Sequence, residues 1–285
     1  MKTLYMPIDR YAVFGHPIGH SKSPRIHALF AQQTGQLIDY TARDVPADRF
    51  AEELQKFSDG GGKGLSCTVP LKEMAWHIAQ DKTERANRAK AVNTLVIGSN
   101  GKICGDNTDG AGLLRDLTVN LGVSISGLNI LLLGAGGASR GIIDPLLAEK
   151  PERLIIANRT LAKAEKLAEE FSGLGSIAVL GFEALTGKSF DLVLNATAAS
   201  LSGDLPPLPE GILNPGGVCY DLAYGNQPTA FVRWGLGVGA RLSVDGIGML
   251  VEQAAEAFFI WRGKRPQTCP VIELLNKERG QANYT

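Results

Sequence analysis

The stretch NILLLGAGGASRGIIDPLLAEKPERLIIANRT, residues 129–160, decides the fold. Its apolar run Ile130, Leu131, Leu132 and Leu133 reads as a strand that stops in Gly134, Ala135, Gly136, Gly137, Ala138 and Ser139. Closely spaced glycines between a strand and a helix let backbone N–H groups approach a pyrophosphate, with the positive end of the helix behind them. The match is imperfect, because Ser139 stands where the fingerprint has its third glycine. Two neighbours strengthen it: a helical run from Arg140 to Glu149, and a second strand, Arg153 to Ala157, ending about 20 residues after the glycines. Together they predict one βαβ unit. The alternative is a glycine-rich turn in some other α/β protein.

At the end of the second strand an acidic residue would accept the ribose 2′-hydroxyl of NAD and repel a 2′-phosphate. The chain has Asn158, Arg159 and Thr160 there. A guanidinium beside two small polar groups suits a phosphate dianion, so the expected cofactor is NADP. Otherwise Arg159 is only a solvated charge at the start of a helix.

At 285 residues the chain exceeds the usual single domain, and two are expected, each able to bury its own core. A hydrophobic content of 44% with 20% charged residues describes a soluble globular protein. Net charge is zero and no basic block occurs, so neither nucleic acid nor an anionic membrane is an expected partner. Cys67, Cys104, Cys219 and Cys269 form no CxxC, and His16, His20, His27 and His77 form no HExxH, so disulfides and metal sites are not expected. Met1 to Arg10 lacks the apolar core of a signal peptide, and a cytoplasmic location follows as the expectation.

Outward from the central stretch, Tyr11 to Gly15 reads as a strand, with a loop leading to Ser21, Lys22, Ser23 and Pro24. Pro24 suits a first helical turn with Ser23 as N-cap. Leu37–Thr41 and Gly64–Val69 read as strands, with a helix at Asp48–Phe57 between them. Lys72 falls just past the third strand, where α/β sheets present their ligand crevices, although an exposed helix-start lysine reads the same way. Lys82 to Lys90 suggests a helix with a solvated charged face. Ala91–Ile97 and Lys102–Cys104 form a hairpin around Asn100 and Gly101. Asp106 and Asp109 then precede a leucine-rich helix, and capping by Thr108 or Asp109 competes with catalysis as their role. Further on, Ala162–Phe171 is a helix, Phe190–Leu194 and Val218–Leu222 are buried strands, Ser200–Pro215 is a loop, and Arg241–Val244 is a strand leading to a helix over Leu250–Trp261.

These residues resemble the shikimate dehydrogenase family along nearly the whole chain. The resemblance is carried by Ser21-Lys-Ser23-Pro24, Thr68-Val-Pro70-Leu-Lys72, Ala91-Val-Asn93-Thr, Gly105-Asp-Asn-Thr-Asp109-Gly, the Gly134 loop, Asn158-Arg159-Thr160, Asn195-Ala-Thr197 and Asp245-Gly-Ile-Gly-Met249 through Gln253. It implies NADP-dependent reduction of 3-dehydroshikimate to shikimate, on the route through chorismate to the aromatic amino acids, by a monomer or homodimer. It also implies an α/β fold of two domains: a substrate-binding α/β domain over 1–108, completed by C-terminal helices within 246–285, and a Rossmann-like NADP-binding domain with a parallel sheet over 109–245.

By the same resemblance Lys72 and Asp109 are the catalytic pair. Ser21, Ser23 and Tyr224 hold the substrate carboxylate, and Asn93, Asp109, Thr68 and Gln253 its hydroxyl and keto groups. Gly134, Ala135, Gly136, Gly137, Ala138, Asn158, Arg159, Thr160, Thr197, Gly246 and Met249 fall to the cofactor. Ser66 departs from the pattern, because the family usually has Asn two residues before the threonine. A hydroxyl is shorter than an amide and offers fewer hydrogen bonds, which leaves quinate or an aminoshikimate as alternative substrates. A protein that senses NADP without catalysis is a further alternative, against which the presence of both Lys72 and Asp109 argues.

Overall fold

The computed structural model describes residues 8–281, so the start of the segment Met1–Arg10 and the last four residues of the expected C-terminal helices lie outside the described residues. The chain divides into two compact units, one of residues up to 108 with 253–271, the other of 109–252 with 272 onward.

In the first unit β1 (Asp9–Gly15), β2 (Ile38–Asp44) and β3 (Gly62–Cys67) run parallel, because helices Ser23–Thr34 and Phe50–Asp59 carry the chain back between them. After the short β4 (Asp81–Lys82) come β5 (Thr94–Ile97) and β6 (Ile103–Asp106), which are antiparallel through the tight turn at Gly101. The strand order is β2-β1-β3-β5-β6-β4. Phe14, Phe50, Leu54, Phe57, Leu65, Leu71 and Leu95 fill one layer of its core.

The second unit holds β7 (Asn129–Leu133), β8 (Arg153–Ala157), β9 (Ile177–Leu180), β10 (Phe190–Asn195), β11 (Leu213–Asp221) and β12 (Leu242–Val244), all parallel, in the order β12-β11-β10-β7-β8-β9. Counted within the unit this is the doubly wound order of a Rossmann sheet, with its switch point between β7 and β10. The unbroken leucine run of β7 follows from coverage on both faces. Ile130 and Leu132 enter one hydrophobic cluster, and Leu131 and Leu133 the other. Each fully buried leucine contributes about 1.5–3 kcal/mol. Helix Asp109–Arg115 packs on helix Gly137–Ala148 at Gly110, where a Cβ would meet Pro145 Cγ at 2.3 Å.

Several boundaries differ from expectation. Ser23 is the first residue of its helix rather than the cap; Lys22 occupies that position, and the Ser23 N–H is taken by Ser21 Oγ at 3.3 Å. The helix expected over Asp48–Phe57 splits into a 3-10 turn at Ala47–Arg49 and an α-helix over Phe50–Asp59. Strand β3 stops at Cys67, and the Leu71 N–H closes a turn onto Thr68 O around Pro70, which has no N–H to give.

The Lys82–Lys90 stretch is not simply a solvated face. Ala86 and Ala89 of helix Glu84–Ala89 are buried, and Arg85 pairs with Asp106 at 2.6 Å and Glu256 at 3.2 Å. The expected loop Ser200–Pro215 is shortened at both ends, by a short helix over Ala199–Ser202 and by β11, which begins at Leu213. The helix over Ala230–Gly237 carries no expectation from the sequence, and Cys269–Glu278 is a helix within the expected C-terminal range 246–285. Residues 246–252 and 272–281 group with the second unit rather than the first. Arg279 ties the C-terminal helix there, meeting Asp245 Oδ2 at 2.5 Å and Oδ1 at 3.2 Å and the carbonyl of Gly225 at 2.7 Å.

Candidate active site

In the first unit the candidate polar residues come from loop ends on the sheet. Asn93 is buried just before β5, and its amide orientation is fixed. Its Oδ1 accepts from the Thr108 N–H and from Thr94 Oγ1, both at 2.9 Å. Its Nδ2 donates to Thr108 Oγ1 at 2.9 Å and to Gln253 Oε1 at 3.3 Å. Asn93, Thr108 and Gln253 therefore form one network, although the sequence pattern points to Thr108 only as a cap.

Ser66 on β3 accepts a hydrogen bond from the Tyr40 hydroxyl at 2.9 Å. Burial pushes the Tyr40 phenol well above its usual range, with Ser66 and Ser23 hydrogen bonds acting the other way. Tyr40 is a polar member of this cluster that sequence reasoning missed, because a tyrosine in a strand gives no signal beyond its β propensity. Lys72 opens helix Lys72–Ile78, and the Val92 N–H donates to its carbonyl at 2.9 Å. Its ammonium acts electrostatically on the buried Cys67 at the end of β3, whose thiol burial raises. Ser21 and Ser23 lie together at the start of helix Ser23–Thr34, and Thr68 lies in the turn after β3.

In the second unit the glycine turn sits where the sheet order reverses. Gly134 has φ +102°, a backbone region that side chains disfavour, and its N–H donates to Ala157 O at 2.8 Å. Ser139 Oγ returns a hydrogen bond to Gly134 O at 2.8 Å, so the serine in the third glycine's place ties the turn closed. Gly136, Gly137 and Ala138 are exposed, and open space lies where a Cβ on either glycine would be. Their backbone lies at the start of the twelve-residue helix Gly137–Ala148. A free helix start with open backbone suits an anion such as a pyrophosphate.

At the end of β8, Asn158 Nδ2 donates to Thr160 O at 2.8 Å, which shapes the loop. Arg159 is exposed and makes no hydrogen bond or ion pair among the described residues. The residues present thus fit a dinucleotide bearing an additional phosphate. Across the switch point the Thr197 hydroxyl is held by Asn195 Oδ1 at 2.7 Å. Asn195 in turn meets Asp221, which also accepts from Ser200 at 2.5 Å and Thr229 at 2.6 Å. Burial raises the Asp221 carboxyl, and these hydroxyl hydrogen bonds lower it.

Gly246 is buried, its N–H on Ala223 O at 3.0 Å, and the Met249 N–H meets the Tyr220 hydroxyl at 3.2 Å. Burial and the charge of Asp245 raise the Tyr224 phenol, against the pull of Arg279. Asp109 is buried at the first turn of helix Asp109–Arg115. Among the described residues no cluster of three or more His, Cys, Asp or Glu could hold a metal ion.

A six-stranded parallel sheet in this order, with a glycine turn at its switch point and, after its second strand, an arginine unpaired among the described residues, defines a Rossmann-type dinucleotide-binding protein. Family descriptions match successive parts of the chain: shikimate dehydrogenase substrate binding domain over residues 13–95, shikimate / quinate 5-dehydrogenase over 117–202 and shikimate 5′-dehydrogenase C-terminal domain over 246–275. The chain belongs to the shikimate dehydrogenase family.

It is 66% identical, over 96% of its length and 98% of the relative's, to the shikimate dehydrogenase (NADP(+)) of Methylococcus capsulatus. Among solved structures it resembles an Ael1 enzyme from Pseudomonas putida, with a TM-score of 0.88 and 46% identity over 97% of this chain and 100% of that one. It also resembles the shikimate 5-dehydrogenase of Thermus thermophilus in complex with NADP(H) and shikimate, with a TM-score of 0.85 and 32% identity over 95% of this chain and 100% of that one.

Proposed function

We propose that this chain is an NADP-dependent dehydrogenase that interconverts 3-dehydroshikimate and shikimate. The observation that carries the cofactor half is the exposed Gly136–Gly137 backbone at a helix start together with Arg159, unpaired among the described residues. The substrate half is supported by 66% identity, over 96% of the chain, to a relative named for that reaction.

In this reading Gly134, Ala135, Gly136, Gly137 and Ala138 receive the pyrophosphate through backbone N–H groups. Asn158, Arg159 and Thr160 take the 2′-phosphate, and Thr197, Gly246 and Met249 border the rest of the cofactor. NADPH, when bound, supplies the hydride to the keto carbon. Lys72 gives a proton to the oxygen as the carbonyl becomes an alcohol, stabilising the negative charge that develops there. Asp109 accepts a hydrogen bond from the adjacent substrate hydroxyl and fixes its position. Ser21, Ser23 and Tyr224 hold the carboxylate, while Ser66, Thr68, Asn93 and Gln253 hold the remaining oxygens.

The enzyme is taken to work as a cytoplasmic monomer or homodimer; no helix among the described residues is long and apolar enough to cross a membrane. A second reading, oxidation of quinate or a related acid, draws on Ser66, whose oxygen is already engaged by Tyr40. Steady-state oxidation of shikimate and of quinate, each with NADP and with NAD, separates the two. Fast turnover with shikimate and NADP supports the first, and turnover with quinate alone supports the second. No turnover with either acid, despite NADP binding, would leave a nucleotide-binding protein without this chemistry.

A further inference from the structure

In the second unit, residues Asp116–Asn120 widen from α- into π-helical geometry and place a carboxylate in the interior. Asp116 is fully buried. Its Oδ2 accepts the Tyr220 hydroxyl at 2.7 Å and its Oδ1 accepts Asn120 Nδ2 at 2.9 Å. Tyr220, near the end of β11, is itself fully buried, and its oxygen accepts the Met249 N–H at 3.2 Å. Met249 lies in the first turn of helix Ile247–Arg262, where N–H groups have no partner within the helix. Asp116, Tyr220 and Met249 therefore form one chain of hydrogen bonds, in which the Tyr220 hydroxyl donates its hydrogen to the carboxylate and keeps a lone pair to accept the backbone N–H.

The same carboxylate explains a glycine that the cofactor reading leaves aside. A Cβ on Gly248 would lie 2.1 Å from Asp116 Oδ1 and 2.2 Å from Oδ2, so the turn before Met249 closes directly over the acid. Holding the acid there is costly. Burial raises its carboxyl to about 6, with the Asn120 and Tyr220 hydrogen bonds opposing and the charges of Glu252 and Asp245 adding to the rise. An apolar residue would fill the space without that penalty, but it would leave the Tyr220 proton unfixed.

We propose that Asp116 and Tyr220 are positioning residues for cofactor binding, holding the backbone of Gly246–Met249 in the shape that receives NADP. The inference rests on the proposed assignment of Gly246 and Met249 to the cofactor.

Tyr220→Phe keeps the ring and removes the oxygen. It is expected to weaken NADP binding about tenfold, a loss of the size of one buried hydrogen bond, with KM for shikimate altered less than about twofold. Asp116→Asn retains an acceptor oxygen and is expected to bind NADP within about threefold of the native enzyme, while Asp116→Leu falls with Tyr220→Phe. Gly248→Ala presses on the carboxylate and gives the same selective loss even if Tyr220→Phe folds poorly. The readouts are fluorescence titration with NADPH and the separate KM values. Variants that melt earlier yet bind NADP like the native enzyme would overturn the proposal by reducing these hydrogen bonds to a packing role. Native protein that shows no saturable NADP binding would instead overturn the cofactor assignment, and the proposal with it.

Discussion

Tyr40 reaches from β2 across the neighbouring β1 and donates its hydroxyl to Ser66 Oγ on β3 at 2.9 Å. The residue that departs from the family pattern thus has a partner of its own, and one of its two lone pairs is already in use. Ser66→Asn is expected to change the shikimate-to-quinate ratio of kcat/KM by about fivefold, the value of one substrate hydrogen bond near 1 kcal/mol. Tyr40→Phe should move the ratio as well, by freeing Ser66. Ratios unchanged in both variants would remove this pair from the determinants of specificity.

Lys72→Ala is expected to lower kcat by about a hundredfold to ten-thousandfold, the range of one proton-transfer group, with a much smaller change in KM for shikimate. Retention of most of the native turnover number would refute the assignment.

Arg159 is exposed and unpaired among the described residues, so its removal leaves no buried partner stranded. Arg159→Ala should raise KM for NADP by about tenfold to a hundredfold, as expected for a charged hydrogen bond, and leave KM for NAD nearly unchanged. An unaltered preference for NADP would sink its role in reading the 2′-phosphate.

His27 is buried against Tyr40 at a ring separation of 4.0 Å, and neither of its ring nitrogens has a hydrogen-bond partner among the described residues. Burial holds its imidazole down to about 3, against about 6.5 in the unfolded chain. The native state therefore favours the neutral ring, and its full contribution is present above pH ~6.5 and is lost progressively as pH falls toward ~3. Relative to His27→Phe, the native enzyme should lose about 2 kcal/mol between pH ~6.5 and ~5. Denaturant melts at the two pH values measure the difference, and a constant gap would contradict the neutral, buried state.

Asp245 and Arg279 form an ion pair in which the two side chains are only 3% and 2% exposed. Arg279→Ala strands the carboxylate and is expected to cost about 3–5 kcal/mol, read as a lower denaturation midpoint. Replacing both residues with apolar ones of similar volume should cost less. Equal losses in the single and double variants would show that the penalty is not that of an unpaired buried charge.

What the sequence determined by itself was mostly local. The leucine run before Gly134, the glycine turn, the strand Arg153–Ala157 and Arg159 after it could be read directly, because strand propensity, helix starts and phosphate-binding turns are encoded over a few neighbouring residues. The α/β class followed from the alternation of such segments, and the expectation of two domains from the length of the chain. Tertiary structure alone decided which distant side chains meet. Tyr40 and Ser66 are 26 residues apart and Asp116 and Tyr220 are 104 apart, and strand order and helix packing bring each pair together. It also turned Arg85 from an apparent surface charge into the partner of Asp106 and Glu256, made Ser139 a tie across its own turn, and bound the last helix to the second unit through Arg279. Local pattern specifies which face of an element is apolar; it carries no term for the register that places one buried polar atom within about 3 Å of another.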